Sequence, residues 1–136
     1  MLTIILVESS LELIPPELSN HQSVLAYSKK FKKTISNTLL DNSWHFGAMK
    51  GLKNEIKRGR PDIVHLTLLS ICTSPAFYEN KIRVFVHTVN NEIISINNNT
   101  RLPKSYHRFQ GLIEKLFLTK KIESETEILM EMENSS

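Results

Sequence analysis

The chain has 136 residues, of which 40% are hydrophobic and 23% charged, and its formal net charge is +3 at pH 7. These values exclude wholesale disorder and predict one globular domain, since a chain of this length can bury one hydrophobic core but not two. The single cysteine excludes an intrachain disulfide bond and a cysteine-based zinc site, and it fits a reducing compartment.

The charge is unevenly distributed along the chain. All 17 lysines and arginines lie at or before Lys121 together with nine acidic residues, so residues 1–121 carry a net +8. Residues 122–136 contain five glutamates and no base, and they carry −5. A basic surface of this size suits a polyanion, and nucleic acid is the commonest one.

Neither a membrane span nor a secretion signal is predicted. The longest uncharged apolar stretches, residues 3–7 and 63–71, are far shorter than the ~20 residues of a membrane-spanning helix. Residues 1–8 lack the basic region and the small-residue cleavage site of a signal peptide. We therefore expect a mature start and a cytoplasmic protein.

The first predicted element is a strand. Residues 3–7 form a continuous apolar, β-branched run, which is typical of a strand buried on both faces in a mostly parallel sheet. Ser9 or Ser10 then predicts the cap of a short helical turn that ends before the prolines at 15 and 16. Residues 19–38 are polar and weakly patterned, which favours a surface loop or a frayed helix.

Four lysines surround Phe31, with two on each side. They are Lys29, Lys30, Lys32 and Lys33. Two interpretations are open: the lysines contact a phosphate backbone, or they form a solvated face, which is the commoner role of a run of charges.

Two helices are predicted in the middle of the chain. Apolar residues recur at roughly helical spacing from Ser43 to a stop at Gly59. A second helix begins at Pro61, because the first helical turn does not need the N–H that proline lacks, and Asp62 favours the positive end of the helix dipole. Its length, up to Ser74, favours a buried helix, although its β-branched residues leave a strand open.

A β-hairpin is predicted over residues 81–97, where apolar side chains alternate between two faces and the asparagines at 90 and 91 suit a tight turn. Ser105 caps a final helix, whose apolar residues recur at three- and four-residue steps. Residues 123–136 alternate acidic and apolar residues and are predicted to form a helix that needs a partner, or a loose tail.

Classical catalytic motifs do not occur in the sequence. The four glycines are dispersed and cannot build a phosphate-binding loop. The five histidines show no metal-ligand spacing, and Cys72 lies in an apolar segment, so we expect surface or core roles for them and no metal site.

Cations stand where helix electrostatics disfavours them. Arg60 precedes one predicted helix, and Lys104 and Arg108 flank the start of another, with Arg101 just upstream. A cation at a helix N-terminus destabilises the helix by a few tenths to about 1 kcal/mol, unless an anion lies between the cation and the exposed N–H groups of the helix. Two such clusters indicate a shared phosphate-binding surface, and the alternative is a set of solvated surface cations.

Asp62 is the only acid beside Arg60, and three roles are open for it. It can cap the helix, orient Arg60 through a charge-assisted hydrogen bond, or accept a proton in catalysis. Capping is the default role, and it is compatible with orienting Arg60.

At these residues the sequence resembles a known family. The resemblance is carried by residues 58–65, 68–75, 84–88 and 100–114 and covers about residues 2–120. These stretches are similar to the ribosome-biogenesis pseudouridine methyltransferases of the SPOUT superfamily, and most of all to the archaeal branch.

The resemblance implies an α/β fold with a mostly parallel sheet, helices on both faces, a β-hairpin extension and a C-terminal knot. It also implies a homodimer that transfers a methyl group from S-adenosylmethionine to a ring nitrogen of a pseudouridine in small-subunit ribosomal RNA. By the same resemblance Arg60 contacts the RNA and Asp62 holds Arg60 in position. Arg101, Lys104 and Arg108 add RNA contacts, and Lys104 replaces a usual arginine, which keeps the charge but loses the planar fork.

The end of the sequence departs from the family's pattern. Family members continue into a glycine-containing loop and a knotted segment that holds S-adenosylmethionine, and residues 123–136 do not match them. We therefore interpret residues 1–121 as the RNA-binding part and residues 122–136 as an acidic tail or the start of a truncated section. The alternative function is a non-catalytic RNA-binding assembly factor. A sheet that lacks strands also predicts marginal stability or dimerisation.

Overall fold

A computed structural model describes residues 1–134 of the chain. The strands are β1 (Leu2–Ser9), β2 (Ile82–Thr88), β3 (Glu92–Ile96), β4 (Lys121–Glu123) and β5 (Ile128–Asn134). The helices are α1 (Gln22–Phe31), α2 (Asn42–Met49), α3 (Pro61–Cys72), α4 (Pro75–Tyr78) and α5 (Tyr106–Thr119). No helix within residues 1–134 is long and apolar enough to cross a membrane.

The five strands form one sheet in the order β1-β2-β3-β5-β4. The predicted α/β class is confirmed, but the mostly parallel sheet is wrong, because only β1 and β2 run parallel and the other three pairings are antiparallel. The reason is the length of the connections. Tight turns join β2 to β3 and β4 to β5, and strands joined by a short turn must be antiparallel. The implied C-terminal knot stays a prediction.

Helices cover one face of the sheet within residues 1–134. Side chains of α3, α4 and α5 pack with Val84, Val86, Ile94 and Met130 into the main hydrophobic core. The opposite face is open, and helices on both faces are therefore a wrong expectation for the described residues. Strand β1 is likewise not buried on both faces, because Ile5 pairs with Phe85 on the open face of the sheet and is 53% exposed.

The acidic end of the chain belongs to this sheet. Residues 121–134 form β4 and β5, and β5 lies between β3 and β4, so the predicted helix or loose tail is wrong. Met130 and Met132 point into the core, whereas Glu131 and Glu133 alternate with them toward the open face. This period of two is the sequence signal for a strand.

Two more expectations concern the N-terminal part of the chain. The segment after Ser10 does not form a helical turn; it runs extended, and its main chain pairs with residues 38–40 through bonds such as Ile14 N–H to Thr38 O, 2.9 Å. Residues 19–38 contain the helix α1, so of the two alternatives for this segment the helix is confirmed and the surface loop is wrong. His21 Nδ1 caps it by accepting a hydrogen bond from Ser23 N–H.

The central helices form as the caps predict, apart from one early end. α3 begins at Pro61 and the α5 cap is Ser105, whose hydroxyl accepts a hydrogen bond from Arg108 N–H. α2 ends at Met49 and does not continue to Gly59, because the chain turns at Gly51 with a φ of 80°. A second small core holds α1 and α2 together, and it consists of Ile14, Leu18, Val24, Leu40, Ala48 and Met49.

Burial makes Cys72 a test of the core. Its side chain is 3% exposed, and burial raises the pKa of the thiol to about 11. Because the thiolate is the reactive form, we expect Cys72 to resist iodoacetamide at pH 8 in the folded chain and to react fully in denaturant, as measured by mass spectrometry. Rapid labelling of the folded chain would contradict the packing of α3 described above.

Candidate nucleic-acid interface

Arg60 and Asp62 form a planar ion pair at the start of α3. The Asp62 carboxylate accepts hydrogen bonds from Arg60 Nε to Oδ1 and from Nη2 to Oδ2, both 3.0 Å long. Both side chains are nearly half exposed, at 46% and 44%. The pair fixes the plane of the Arg60 guanidinium at the surface. Within residues 1–134, Nη1 of Arg60 makes no hydrogen bond. Asp62 therefore orients Arg60, and Arg60 itself occupies the N-cap position.

The backbone around Arg60 is held by its neighbours. Its N–H donates a 2.8 Å hydrogen bond to Ser10 Oγ, so Ser10 supports Arg60 and does not cap a helix as expected. Gly59 has a φ of 71°, and a Cβ there would lie 2.7 Å from Met49 Cε. Only glycine fits this position without strain. The Gly59 carbonyl also accepts a hydrogen bond from Asn42 N–H, which connects this turn to the start of α2.

The ion pair also sets the protonation of Asp62. The hydrogen bonds from Arg60 lower the pKa of the Asp62 carboxyl below its usual range, and nearby backbone N–H groups of α3 act in the same direction. A carboxylate with a lowered pKa is a weak proton acceptor near neutral pH. The geometry therefore supports the orienting role over the catalytic one.

Arg101 is positioned by a stacked ring. Its guanidinium carbon lies 4.3 Å from the centroid of the Tyr78 ring, and its Nη1 donates to the carbonyl oxygens of Asn98 and Thr100 at 3.0 and 3.1 Å. Tyr78 ends α4, a helix that the sequence reading did not include. A contact between residues 23 positions apart has no local signal, so the role of Tyr78 could not be read from the sequence.

Lys104 and Arg108 lie on either side of the α5 cap and are exposed. Neither forms an ion pair with another residue of the described chain. His65 connects α5 to α3, because its Nε2 donates to the carbonyl oxygen of Pro103 at 2.8 Å and its ring stacks on Phe109 with a centroid distance of 4.5 Å. The second turn of α3 therefore packs against the start of α5. The pKa of Arg60 is raised mainly by Asp62, and Tyr106 in the first turn of α5 is close enough to Arg60 to contribute to this rise.

A buried carboxylate holds the start of α2 against the start of α5. Asp41 is 4% exposed, and its Oδ2 accepts hydrogen bonds from Tyr106 OH at 2.6 Å and from Gln110 Nε2 at 3.2 Å. Its Oδ1 accepts from the N–H and hydroxyl of Ser43 and so caps α2. Burial, together with the adjacent Asp41, raises the pKa of Tyr106. This network was not predicted from the sequence. The only part of it with a local sequence signal is Asp41 as the N-cap of α2.

His45 completes this network. Its Nδ1 accepts a hydrogen bond from Asp41 N–H at 3.0 Å, so the ring carries its proton on Nε2, a buried atom without a hydrogen-bond partner within residues 1–134. Burial lowers the pKa of His45. His45 and His65 are both buried side chains of the core, in keeping with the absence of metal-ligand spacing.

The ion pair should lower the pKa of the Asp62 carboxyl by a measurable amount. We expect the Asp62 carboxyl to titrate below the ordinary aspartate range in a pH series of carbon-13 NMR spectra and to return toward that range in Arg60→Gln. Arg108→Gln is the matched control and should leave the titration unchanged. Because the folded pKa is lowered, the ion pair stabilises the fold above the ordinary aspartate pKa, and this contribution is lost as the pH falls through the lowered value.

This chain is similar in sequence and fold to known proteins over nearly the whole of its own length. The model of the family "EMG1/NEP1 methyltransferase" matches residues 4–136. The ribosomal RNA small subunit methyltransferase Nep1 of Thermococcus sibiricus is 46% identical over 129 residues, which cover 95% of this chain and 59% of that protein. The Nep1 of Saccharolobus solfataricus is 48% identical over 134 residues, which cover 98% of this chain and 60% of that protein.

A solved structure agrees with these relatives. The crystal structure of Archaeoglobus fulgidus Nep1 bound to S-adenosylhomocysteine matches with a TM-score of 0.92 at 43% identity, over 99% of this chain and 61% of that one. The chain thus spans about 60% of the length of the relatives it matches. The family model and the relatives agree with the resemblance carried by the sequence motifs, and they show that the chain belongs to the EMG1/NEP1 methyltransferase family.

Proposed function

We propose that this chain forms the RNA-binding part of a cytoplasmic enzyme that methylates small-subunit ribosomal RNA. The reaction transfers the methyl group of S-adenosylmethionine to a ring nitrogen of a pseudouridine. The observation that carries the proposal is the arginine fork of Arg60 on Asp62 in a chain of this family. The names of the relatives as rRNA small subunit methyltransferases support the substrate class.

Each cation has a distinct part in binding RNA. Arg60 presents its free Nη1 to a phosphate or base acceptor, and Asp62 removes the entropic cost of ordering that guanidinium. Arg101 is ordered in advance by Tyr78 and offers its remaining N–H groups. Lys104 and Arg108 supply point contacts to phosphates of a loop whose bases are unstacked, which is the form of RNA that proteins read most readily.

The pseudouridine nitrogen must lose its proton during the transfer. Asp62 is ionised, but its lowered pKa makes it a poor acceptor, so we assign it to positioning Arg60. S-adenosylmethionine supplies an electrophilic methyl group when it is bound. Support for this donor comes from Archaeoglobus fulgidus Nep1, whose structure holds S-adenosylhomocysteine.

One groove of about 440 Å³ lies between β1 and α3, lined among others by Glu8, Lys57 and Arg60. Lys57 is paired with Glu8 and Arg60 with Asp62, so this groove offers no unpaired acid to the positive sulfonium ion of the cofactor. The alternative function is a non-catalytic RNA-binding assembly factor. Calorimetry with millimolar S-adenosylmethionine measures whether this chain binds the cofactor: binding supports the enzyme, and a lack of binding concerns this chain alone, which spans about 60% of the length of its relatives.

A homodimer is part of the proposal. β1 is an edge strand with apolar side chains in solvent, including Ile5 at 53% and Val7 at 66% exposed. An uncovered edge of this kind favours pairing with further chain or with a second copy.

RNA binding should depend on salt through these cations. We expect Arg101→Ala and Arg108→Ala each to weaken binding to a hairpin RNA with a single-stranded loop and to reduce the slope of log affinity against log salt by about 0.7–1 per lost phosphate contact. Fluorescence anisotropy at several salt concentrations measures both quantities. Lys115→Ala is the matched control, since it removes an exposed cation two turns further along α5. Equal slopes in all variants would contradict the proposed site.

A further inference from the structure

Two aromatic rings are exposed where α1 ends and α2 begins. Phe31 is 36% and Trp44 41% exposed, and their ring centroids lie 5.1 Å apart at an interplanar angle of 79°. Tyr27 lies beneath both, is 5% exposed, and contacts Phe31 at 4.7 Å and Trp44 at 5.3 Å between centroids. The buried tyrosine therefore holds the two outer rings in fixed orientations.

The rings are surrounded by positive charge. Lys30 Nζ lies 4.9 Å from the centroid of Trp44 and 5.4 Å from that of Phe31. Lys29 and Lys32 are exposed beside them, and α1 contains no acidic residue. Cations at a helix C-terminus are favoured by the dipole, which accounts for lysines at this place but not for two uncovered aromatic rings beneath one of them.

Lys33 has a different role from the other three lysines of the run. Its Nζ donates to Glu114 of α5 at 2.9 Å, and its side chain is 21% exposed. It therefore fixes the end of α1 to α5. The other three lysines make no ion pair within residues 1–134 and are available to a negatively charged partner.

The aromatic patch is connected to the turn that carries Arg60 through the first turn of α2. Trp44 lies in the first turn of α2, whose cap Asp41 is bonded to Tyr106 at the start of α5. Asn42 in the same turn donates to the carbonyl oxygen of Gly59, the neighbour of Arg60. The charge of Asp41 contributes to the raised pKa of Arg60, after the larger effect of Asp62. The first turn of α2 thus lies between the patch and Arg60.

We propose that Lys30, Phe31 and Trp44 form a second RNA site that stacks an unpaired base of the strand leaving the Arg60 site. The inference rests on the proposed function and extends it beyond the cations at the helix starts. Aromatic rings accept any base on a π-face, and adjacent lysines follow the backbone, which is the usual construction of a single-strand site. The base takes the place of the Lys30 ammonium on the indole ring, and Lys30 then contacts phosphate.

The only tryptophan of the chain reports on this site directly. The probe is a hairpin RNA with a single-stranded flank of about ten nucleotides, compared with the same hairpin without the flank. We expect the flanked RNA to quench Trp44 fluorescence and the flank to raise affinity at least about fivefold. Unchanged fluorescence at saturation with the flanked RNA would overturn the inference.

Substitutions separate stacking from folding. Trp44→Leu should abolish the gain in affinity from the flank, and Trp44→Phe should restore most of it, with circular dichroism showing both variants folded. Phe46→Leu is the matched control, because Phe46 is 52% exposed on the same helix, lies 5.8 Å from Lys50 Nζ, and is not among the ring partners of Tyr27 or Phe31. Its binding should equal that of the unsubstituted chain.

The outcomes distinguish this inference from the proposed function. If Trp44→Leu keeps the full gain from the flank while Arg108→Ala still weakens binding, the second site is wrong and the RNA function stands. If neither RNA binds the unsubstituted chain, both fail. If Trp44→Leu alters the sedimentation mass but not RNA affinity, the patch joins copies of the chain, and the inference is likewise overturned.

Discussion

The buried carboxylate of Asp41 is the contact on which the arrangement of the helix starts depends. It accepts hydrogen bonds from Ser43, Tyr106 and Gln110, which belong to α2 and α5. None of these donors is a cation, so every direct contact of the carboxylate is a hydrogen bond from a neutral group. A buried carboxylate of this kind is costly to leave partly satisfied, which forces the two helices to keep one relative position.

This constraint extends to both proposed RNA surfaces. On one side, α5 carries Lys104 and Arg108 and packs on α3 through His65, so the turn with Arg60 is fixed as well. On the other side, α2 carries Trp44 against the buried ring of Tyr27. The side chains proposed to meet RNA are exposed, whereas Asp41, His65 and Tyr27, which position the helices that carry them, are buried. Preorganisation of this kind lowers the entropic cost of binding.

The sequence predicts the parts of this structure that are local. The Pro61 start, the Ser105 cap and the hairpin are encoded within a few residues, and the structure forms all three. Strand β5 has an equally local signal, because apolar and acidic residues alternate along it. Its glutamates nevertheless favoured the interpretation as a solvated tail. The sheet order depends on distant pairings, such as β3 with β5, which periodicity does not specify.

The candidate site also contains both local contacts, which the sequence predicts, and contacts between distant residues, which it does not. Arg60 and Asp62 are two residues apart, and their pairing could be expected from the motif. The contacts of Tyr106 with Asp41 and of Tyr78 with Arg101 join residues 65 and 23 positions apart, and neither has a local pattern. Sequence reasoning therefore found the cations at the helix starts and the partner of Arg60, but it missed Asp41, Tyr106 and Tyr78, which act across longer distances in the chain.

The fold also explains how a basic body and an acidic end coexist in one chain. The acidic residues Glu131 and Glu133 alternate with core methionines and so lie on the open face of the sheet. The cations at the starts of α3 and α5 belong to the helical layer on the other face. Exposed charges separated by more than about 8–10 Å are largely screened at physiological salt. Placing the acidic strand and the cations on opposite faces of the sheet therefore lets one chain carry both charges with little mutual cancellation.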